Sequence, residues 1–152
     1  MRGVYRFFAF LIAAEVAIQA AAIALAVFGL TKWIEDGGTL SKATMEGDDS
    51  SITGVVGFMV HGINGTMLVP LIGLVFLIVS FFAQVPGGVT WAAVTFVTIV
   101  LQVVLGILAH EVYALGALHG LLALVLFGVA VSAGIRARGA TATEPSRQAA
   151  TV

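Results

Sequence analysis

Four long apolar runs are the feature of this sequence that most restricts how the chain can fold. They lie at about 5–30, 55–82, 90–109 and 114–135. A helix crosses the hydrocarbon core of a membrane with roughly 20 residues, so each run is long enough for one span. Helices are favoured over strands because a helix satisfies its own backbone in lipid, and none of the runs alternates in polarity. We therefore predict an all-α integral membrane protein with four spans.

The composition agrees with this class and excludes several others. Of 152 residues, 60% are hydrophobic and 10% are charged, whereas a soluble domain has about 25% charged residues. The chain has no cysteine, which excludes disulfides, thiolate metal sites, iron–sulfur clusters and c-type haem attachment. Its net charge of −1 offers no basic surface for nucleic acid, so the partner that we predict first is the lipid bilayer.

The connecting segments predict an antiparallel, up-down four-helix bundle over residues 1–136. The first connection, 31–54, is a polar and acidic loop, whereas the other two, around 84–88 and 110–113, are short. Short connections place neighbouring helices side by side and antiparallel. We read the first run as a retained span, because no small-residue cleavage site is obvious near its end. The small, polar residues at 137–152 predict a disordered tail.

The positive charges predict how the bundle is oriented. Five arginines lie before or within the first span and after the last, against two lysines in the long loop: Arg2, Arg6, Arg136, Arg138 and Arg147 against Lys32 and Lys42. Cytoplasmic ends of spans carry the excess of Lys and Arg. We therefore predict a multi-pass protein of the plasma membrane with both termini in the cytoplasm.

A short pattern repeats between the two halves of the chain. The first and third spans each carry one amide, Gln19 and Gln102, and the second and fourth each begin with His-Gly, at His61 and His119. The chain thus reads as a Gln-bearing helix followed by a His-bearing helix, twice. We predict an internal two-helix pseudo-repeat about an axis along the membrane normal, a symmetry that tends to place a site between the halves.

The two repeated histidines are the candidate metal ligands. At 1.5 Å per residue, His61 lies roughly 9 Å and His119 roughly 8 Å below the outer ends of their spans. Matching depth on two helices suits a haem iron with two axial imidazoles. The alternative is an interhelical hydrogen bond, for which polar residues in membranes are commonly used. Zinc would need three or four ligands, and the spans offer no acidic or cysteine cluster at that depth.

Glycines share helix faces with both histidines. Gly57 and Gly65 lie four residues to either side of His61, and Gly116 and Gly120 flank His119. Glycine makes the shallow surface that a flat macrocycle needs. The same spacing also serves small-xxx-small packing between membrane helices, so both interpretations stay open.

Glu15 is the one acidic residue deep in a span, about 22 Å below the outer end of its helix. A charge there is costly, so we expect Glu15 to be protonated or hydrogen-bonded, with Gln19 one turn away as its partner. A proton relay through Glu15 and Gln19, a quinone contact, and a structural role are all compatible with this position.

Three other residues carry expectations. Asn64 either orients His61 or faces another helix, and Pro70 is expected to kink the second span and leave the carbonyl of Thr66 without its helical donor. His110, at the end of the third span, is a surface group, a hydrogen-bond donor to a haem propionate, or neither.

Part of the sequence resembles one half of the haem A synthase family. The resemblance rests on 101–108 (LQVVLGIL), a short turn, and 117–123 (ALHGLLA), with 60–65 (VHGING) similar to the preceding His-bearing helix. It implies that His61 and His119 are the axial pair of a haem and that Gln102 belongs to the same site. The chain has one half rather than two, Gly57 and Phe58 stand where the family has its catalytic Glu, and the outer cysteine pair of some members is absent. A four-helix b-type cytochrome with two axial histidines, broadly similar to the cytochrome b561 type, agrees better with these departures.

Three functional hypotheses follow. The first is a haem b protein for electron transfer or haem handling, with a quinone or a redox protein as partner, and a haem-dependent oxidoreductase if it is an enzyme. The second is a cofactor-free accessory or assembly protein whose polar intramembrane residues are structural. The third, a transporter that moves protons through Glu15, would need a homo-oligomer, because four spans are few for a carrier.

Overall fold

The computed structural model describes residues 1–46 and 52–139, and within them every regular element is a helix. The elements, in chain order, are α1 (Arg2–Glu35), α2 (Lys42–Glu46), α3 (Val55–Ile63), a π-helical segment (Asn64–Leu68), α4 (Val69–Ser80), α5 (Gly88–Leu108) and α6 (Leu115–Gly139). Four helices in this part of the chain are long and apolar enough to cross a membrane, when α3, the π segment and α4 are taken as one. The predictions of an all-helical chain and of four helices long and apolar enough to span a membrane are confirmed.

Helix α1 is longer than its apolar run, because polar residues continue it to Glu35. Lys32 and Asp36, one turn apart, form an ion pair. The helix then ends in a Schellman motif, in which Gly37 has a φ of +99°. The amide of Gly38 donates to the carbonyl of Trp33, and the amide of Gly37 to that of Ile34, each at 3.0 Å. The predicted loop 31–54 therefore begins inside a helix, and it also contains α2.

The second predicted span changes its helical geometry in the middle. Residues 64–68 form one turn of π-helix, in which the amide of Val69 bonds to the carbonyl of Asn64, five residues back. Pro70 has no N–H to continue the ordinary pattern, which gives a physical reason for the irregular turn beside it. The sequence predicted a kink at Pro70, and the structure has a π segment just before it.

The other span ends differ from the predictions by a few residues. Helix α5 begins at Gly88 after Gly87, whose φ is +67°. Helix α6 extends to Gly139, four residues beyond the predicted end at 135, and so includes the first residues of the predicted tail. The rest of that tail, from 140 onward, and residues 47–51 of the loop lie outside the described residues.

The described chain divides into two compact units. One comprises 14–69, and the other comprises 1–13 together with the chain from Pro70 onward. In the unit 14–69, glycines allow α1 and α3 to approach closely. A Cβ on Gly57 would lie 2.7 Å from the backbone nitrogen of Ala26, and one on Gly29 would lie 2.7 Å from the Cα of Gly54.

The unit that contains 1–13 and 70–139 has an aromatic core. The rings of Tyr5 and Phe76 are fully buried, with their centroids 4.7 Å apart. The hydroxyl of Tyr5 donates to the carbonyl of Gly88 at 3.1 Å, which satisfies its polar end. Helices α5 and α6 pack against each other in this unit.

Many large apolar side chains along the helices are exposed. Phe28 is 77%, Met67 68% and Leu124 70% exposed. Such a surface would be a liability in water and is expected in contact with lipid. The exposed apolar surface therefore agrees with a multi-pass membrane protein.

We expect Gly57→Ala to lower the free energy of unfolding in detergent by about 1–3 kcal/mol, because the added methyl group would overlap the α1 backbone. Gly62→Ala is the matched control, since a Cβ at Gly62 meets nothing within 4 Å. Chemical unfolding followed by helical circular dichroism measures both variants. Equal stability of the two variants would contradict the close contact between α1 and α3.

Candidate functional site

The candidate site begins with Gln19 on α1 and His61 on α3, the first Gln–His pair. The Nδ1 atom of His61 lies 3.1 Å from the carbonyl oxygen of Gln19. Because a carbonyl oxygen only accepts, this bond requires the proton on Nδ1. In the other tautomer, Nδ1 accepts instead from the Gln19 side-chain amide, whose nitrogen lies 2.8 Å away in the orientation described next. The side-chain amide of Gln19, turned so that its nitrogen faces an acceptor, donates to the carbonyl oxygen of His61 at 3.0 Å. The two residues thus hold each other through side chain and backbone in both directions.

Gln102 on α5 and His119 on α6, the second Gln–His pair, form the same two bonds. The Nδ1 atom of His119 lies 3.0 Å from the carbonyl oxygen of Gln102, and Nε2 of Gln102 donates to the carbonyl oxygen of His119 at 2.8 Å. Gly106, one turn beyond Gln102, lies against the imidazole, since a Cβ there would be 3.2 Å from Cε1 of His119. Gly106 was not among the site residues predicted from the sequence, although it lies four residues after Gln102 and therefore on the same helix face.

The reciprocal bonds have a chemical consequence for both imidazoles. A neutral histidine that donates from Nδ1 to a backbone carbonyl has its lone pair on Nε2. Metal-ligating histidines are commonly held in this way, because the second bond fixes the tautomer and the orientation of the ring. Both histidines are half-buried. His119 therefore has the donor chemistry of a metal ligand, and His61 has it in the tautomer that carries the proton on Nδ1.

Among the residues that the structure describes, only the first pair is connected to a carboxyl group. Nδ2 of Asn64, the first residue of the π segment, donates to Oε2 of Glu15 at 2.8 Å. The Gln19 amide oxygen, in the orientation given above, accepts from the same Nδ2 at 3.1 Å. A continuous chain of polar groups therefore runs from Glu15 through Asn64 and Gln19 to His61.

The hydrogen bonds of this polar network differ from two expectations for Glu15. Its hydrogen-bond partner is Asn64 rather than Gln19, although Glu15 is 8% exposed and hydrogen-bonded, as a carboxyl in a span should be. From the helical rise per residue, the predicted depths of Glu15 and His61 in the membrane differ by roughly 13 Å. The structure connects the two residues through Asn64, which is three residues after His61 and donates to the carboxyl group of Glu15.

The corresponding positions of the second pair carry no acid. Thr98 is four residues before Gln102, as Glu15 is before Gln19, and Leu122 is three after His119, as Asn64 is after His61. The hydroxyl of Thr98 donates to the carbonyl of Val94 in its own helix. The two pairs therefore share their core bonds and differ in the polar extension.

Two buried oxygen atoms beside the pairs lack a hydrogen-bond donor among the described residues. They are Oδ1 of Asn64 and Oε1 of Gln102. A buried acceptor without a donor costs roughly 1–3 kcal/mol. Both atoms are places where a water molecule or a hydroxyl-bearing group would be stabilised.

The four predicted glycines differ in their surroundings. Gly57 is covered by α1, and Gly65 faces the Gln19 side chain, which a Cβ would approach to 3.3 Å. Gly116 and Gly120 face open space, with nothing within 4 Å of an added Cβ. The first two glycines thus contact α1, whereas the latter two leave room beside His119.

His110 is exposed in the turn that follows α5 and belongs to neither pair. Its amide bonds to the carbonyl of Ile107 at 3.2 Å. Across 1–46 and 52–139, no cluster of three or more His, Cys, Asp or Glu side chains could hold a metal ion. The donor set available to a metal centre in these residues is therefore imidazole, without a carboxylate cluster.

Comparison of the chain with protein-family models, with curated proteins and with solved structures finds no match. The geometry of the two pairs and the sequence pattern therefore carry the functional argument.

We expect Asn64→Leu to destabilise the protein by about 1–3 kcal/mol, because it leaves the buried carboxyl of Glu15 without its donor. The double variant Glu15→Leu/Asn64→Leu should recover most of this loss, since it removes both polar partners. Thr66→Val, which removes an exposed hydroxyl bonded within its own helix, is the control. Additive losses in the unfolding free energies would contradict the direct bond between Glu15 and Asn64.

Proposed function

We propose that this chain is a small integral membrane haem b protein with His61 and His119 as the two axial ligands. The observation that carries the proposal is that both histidines make the same pair of bonds to a glutamine of the preceding span. In each, Nδ1 is held by a backbone carbonyl, at 3.1 Å for His61 and 3.0 Å for His119. This is the arrangement that presents Nε2 as a metal ligand.

Bound haem b would supply one-electron redox chemistry, and the side chains would position it. The carbonyl of Gln102 would orient His119 for ligation through Nε2, and the carbonyl of Gln19 would do the same for His61 in the tautomer that carries the proton on Nδ1. Gly116 and Gly120 supply a shallow surface for the macrocycle beside His119. Gly57 and Gly65 act at the first pair by allowing α1 to approach the helix that carries His61.

We infer further that the four spans form an antiparallel, up-down bundle with a two-helix pseudo-repeat. The two Gln–His pairs support the repeat, because equivalent residues in the two halves make equivalent bonds. The position of the arginines supports a plasma-membrane protein with both termini in the cytoplasm. Both Gln–His pairs would then lie toward the outer leaflet.

The resemblance to one half of haem A synthase, and to the cytochrome b561 type, enters the same proposal. Of the two, a b-type cytochrome for electron transfer or haem handling agrees better with the residues, because the family's catalytic acid has no counterpart at Gly57 and Phe58. The electron partner of such a cytochrome would be a quinone or a redox protein. If the chain is an enzyme, it would be a membrane haem-dependent oxidoreductase. Oligomerisation is not required, since one chain supplies both ligands.

We propose Glu15 and Gln19 as a proton relay next to this haem. Glu15 is 8% exposed and is joined to His61 through Asn64 and Gln19. Asn64 can donate to the carboxylate through Nδ2 and, after rotation of its amide, accept from the protonated acid through Oδ1. With haem b bound and reduced by its electron partner, Glu15 would be the group that holds the accompanying proton.

The second candidate function is a cofactor-free accessory or assembly protein. The observation that favours it is the mutual bonding of Glu15, Asn64, Gln19 and His61, because interhelical hydrogen bonds between such residues also stabilise membrane bundles without a cofactor. In that case the Gln–His pairs are structural, and the polar loop after α1 is the surface for a partner.

We predict that His61→Ala and His119→Ala each abolish the absorption spectrum of six-coordinate, low-spin haem, because each removes one axial ligand. The measurement is the spectrum of the detergent-purified chain after expression with added haem, oxidised and then reduced. His110→Ala is the matched control and should leave the spectrum unchanged. A variant at position 61 or 119 with the wild-type spectrum would exclude that residue as a ligand.

We also predict that the midpoint potential of the haem falls as pH rises, by up to about 59 mV per pH unit, the limit for one proton per electron. The sign follows because proton uptake on reduction is favoured at low pH. Glu15→Gln should remove most of this dependence, whereas Glu111→Gln, in the turn after α5, should keep it. Redox titration at several pH values measures all three proteins, and an unchanged slope in Glu15→Gln would remove the relay.

A further inference from the structure

We propose that the end of the bundle at which α1 and α5 begin binds the phosphate of an anionic phospholipid headgroup. The site consists of Arg2 and Arg6 on α1 and Arg136 near the end of α6, and all three belong to the unit that contains 1–13 and 70–139. This site is separate from both Gln–His pairs and does not depend on haem.

Contacts between the helices bring the guanidinium groups of α1 and α6 to the same end. The ring of Phe10 packs against Gly134, so that a Cβ there would lie 2.9 Å from it. The guanidinium of Arg6 lies 5.8 Å from the centre of that ring. Arg136 follows Gly134 by two residues, and its guanidinium lies 4.6 Å from the centre of the Trp91 ring on α5.

Arg2 is anchored to the same end through the backbone. Its Nε donates to the carbonyl oxygen of Gln84, in the turn before α5, at 3.3 Å. The neighbouring Tyr5 donates to the carbonyl of Gly88 at 3.1 Å, which ties the beginning of α1 to the beginning of α5. The three arginines are thus positioned by bonds and ring contacts from α1, α5, α6 and the turn before α5.

In the described part of the same unit, no acidic side chain balances the charge of Arg6 or Arg136. Its described part contains one carboxyl side chain, Glu111, which follows the far end of the 21-residue helix α5, roughly 30 Å away. Within the described chain, neither Arg6 nor Arg136 forms an ion pair. Arg2 and Arg6 are also four residues apart on one helix, a spacing at which like charges repel. A bound anion would relieve this repulsion.

The chemistry of the three side chains favours a phosphate group. Arginine presents a planar fork of donors that matches phosphate oxygens, and it can stack on an aromatic ring while donating from its edge. Arginines at the ends of membrane spans lie at the level of the lipid headgroups, as does a tryptophan such as Trp91. We therefore assign the phosphate to a lipid rather than to a free ion, since basic pockets between spans bind anionic headgroups.

The test is a thermal unfolding titration of the full chain in a neutral detergent with phosphatidylglycerol, phosphatidylcholine or inorganic phosphate. Phosphatidylglycerol should raise the unfolding temperature of the wild-type protein, and the other two should not. Arg6→Gln/Arg136→Gln should weaken the apparent affinity for phosphatidylglycerol about 25-fold, on the basis of roughly fivefold for each arginine. Lys32→Gln/Lys42→Gln removes the same charge from the last turn of α1 and the first residue of α2 and should retain the affinity.

A further variant, Arg136→Lys, keeps the positive charge and removes only the planar fork of guanidinium donors. It should bind phosphatidylglycerol more weakly than the wild-type protein, because a lysine cannot form the planar bidentate contact. The proposal is overturned if the double arginine variant binds as the wild type does, or if both double variants lose affinity equally. Equal stabilisation by inorganic phosphate would overturn the assignment to a lipid. If the double arginine variant fails to fold, wild-type affinity in Arg136→Lys contradicts the site.

Discussion

A polar side chain within a membrane span needs a partner inside the protein, and in this chain the two Gln–His pairs meet that need. Each glutamine sits on one helix and each histidine on the next, and each pair uses two side chains and two backbone carbonyls. Interhelical bonds of this kind average about 0.6 kcal/mol in membrane bundles, so their stabilising effect is modest. Their larger effect is on geometry. They orient each imidazole, and the proposed haem ligation uses the tautomer in which Nδ1 donates to the glutamine carbonyl.

The close helix packing in the unit 14–69 also serves the first pair. Gly57 allows α1 to reach the face that carries His61, one turn further along α3. The π segment then begins at Asn64, beside Pro70, and Asn64 is the residue that reaches Glu15. The second pair has neither the irregular turn nor the acid. Two sites with the same core bonds therefore differ in their connection to a protonatable group. The proposed haem site would need such a difference if protons are transferred only on the side of His61.

The sequence predicted the helical class because the length of an apolar run is a direct consequence of the thickness of the membrane. It also selected all four members of the Gln–His pairs, since isolated polar residues are conspicuous in apolar runs. Helix ends were less predictable. Helix α1 continues through Thr31 to Glu35, where its end is set by Gly37 rather than by a change in hydropathy. The predicted hydrogen-bond partner of Glu15 was wrong for a related reason. Spacing within one helix favoured Gln19, whereas the position of Asn64 depends on the approach of two helices and on a π turn.

The most direct test of this account is the haem content and the reduced-minus-oxidised difference spectrum of the purified wild-type chain, expressed with haem in excess. The account predicts one haem per chain and the sharp, split visible bands of a low-spin iron with two imidazole ligands. A folded chain that contains no haem under these conditions would contradict the account. The Gln–His pairs would then be structural, and the cofactor-free accessory protein would be the function that the geometry supports.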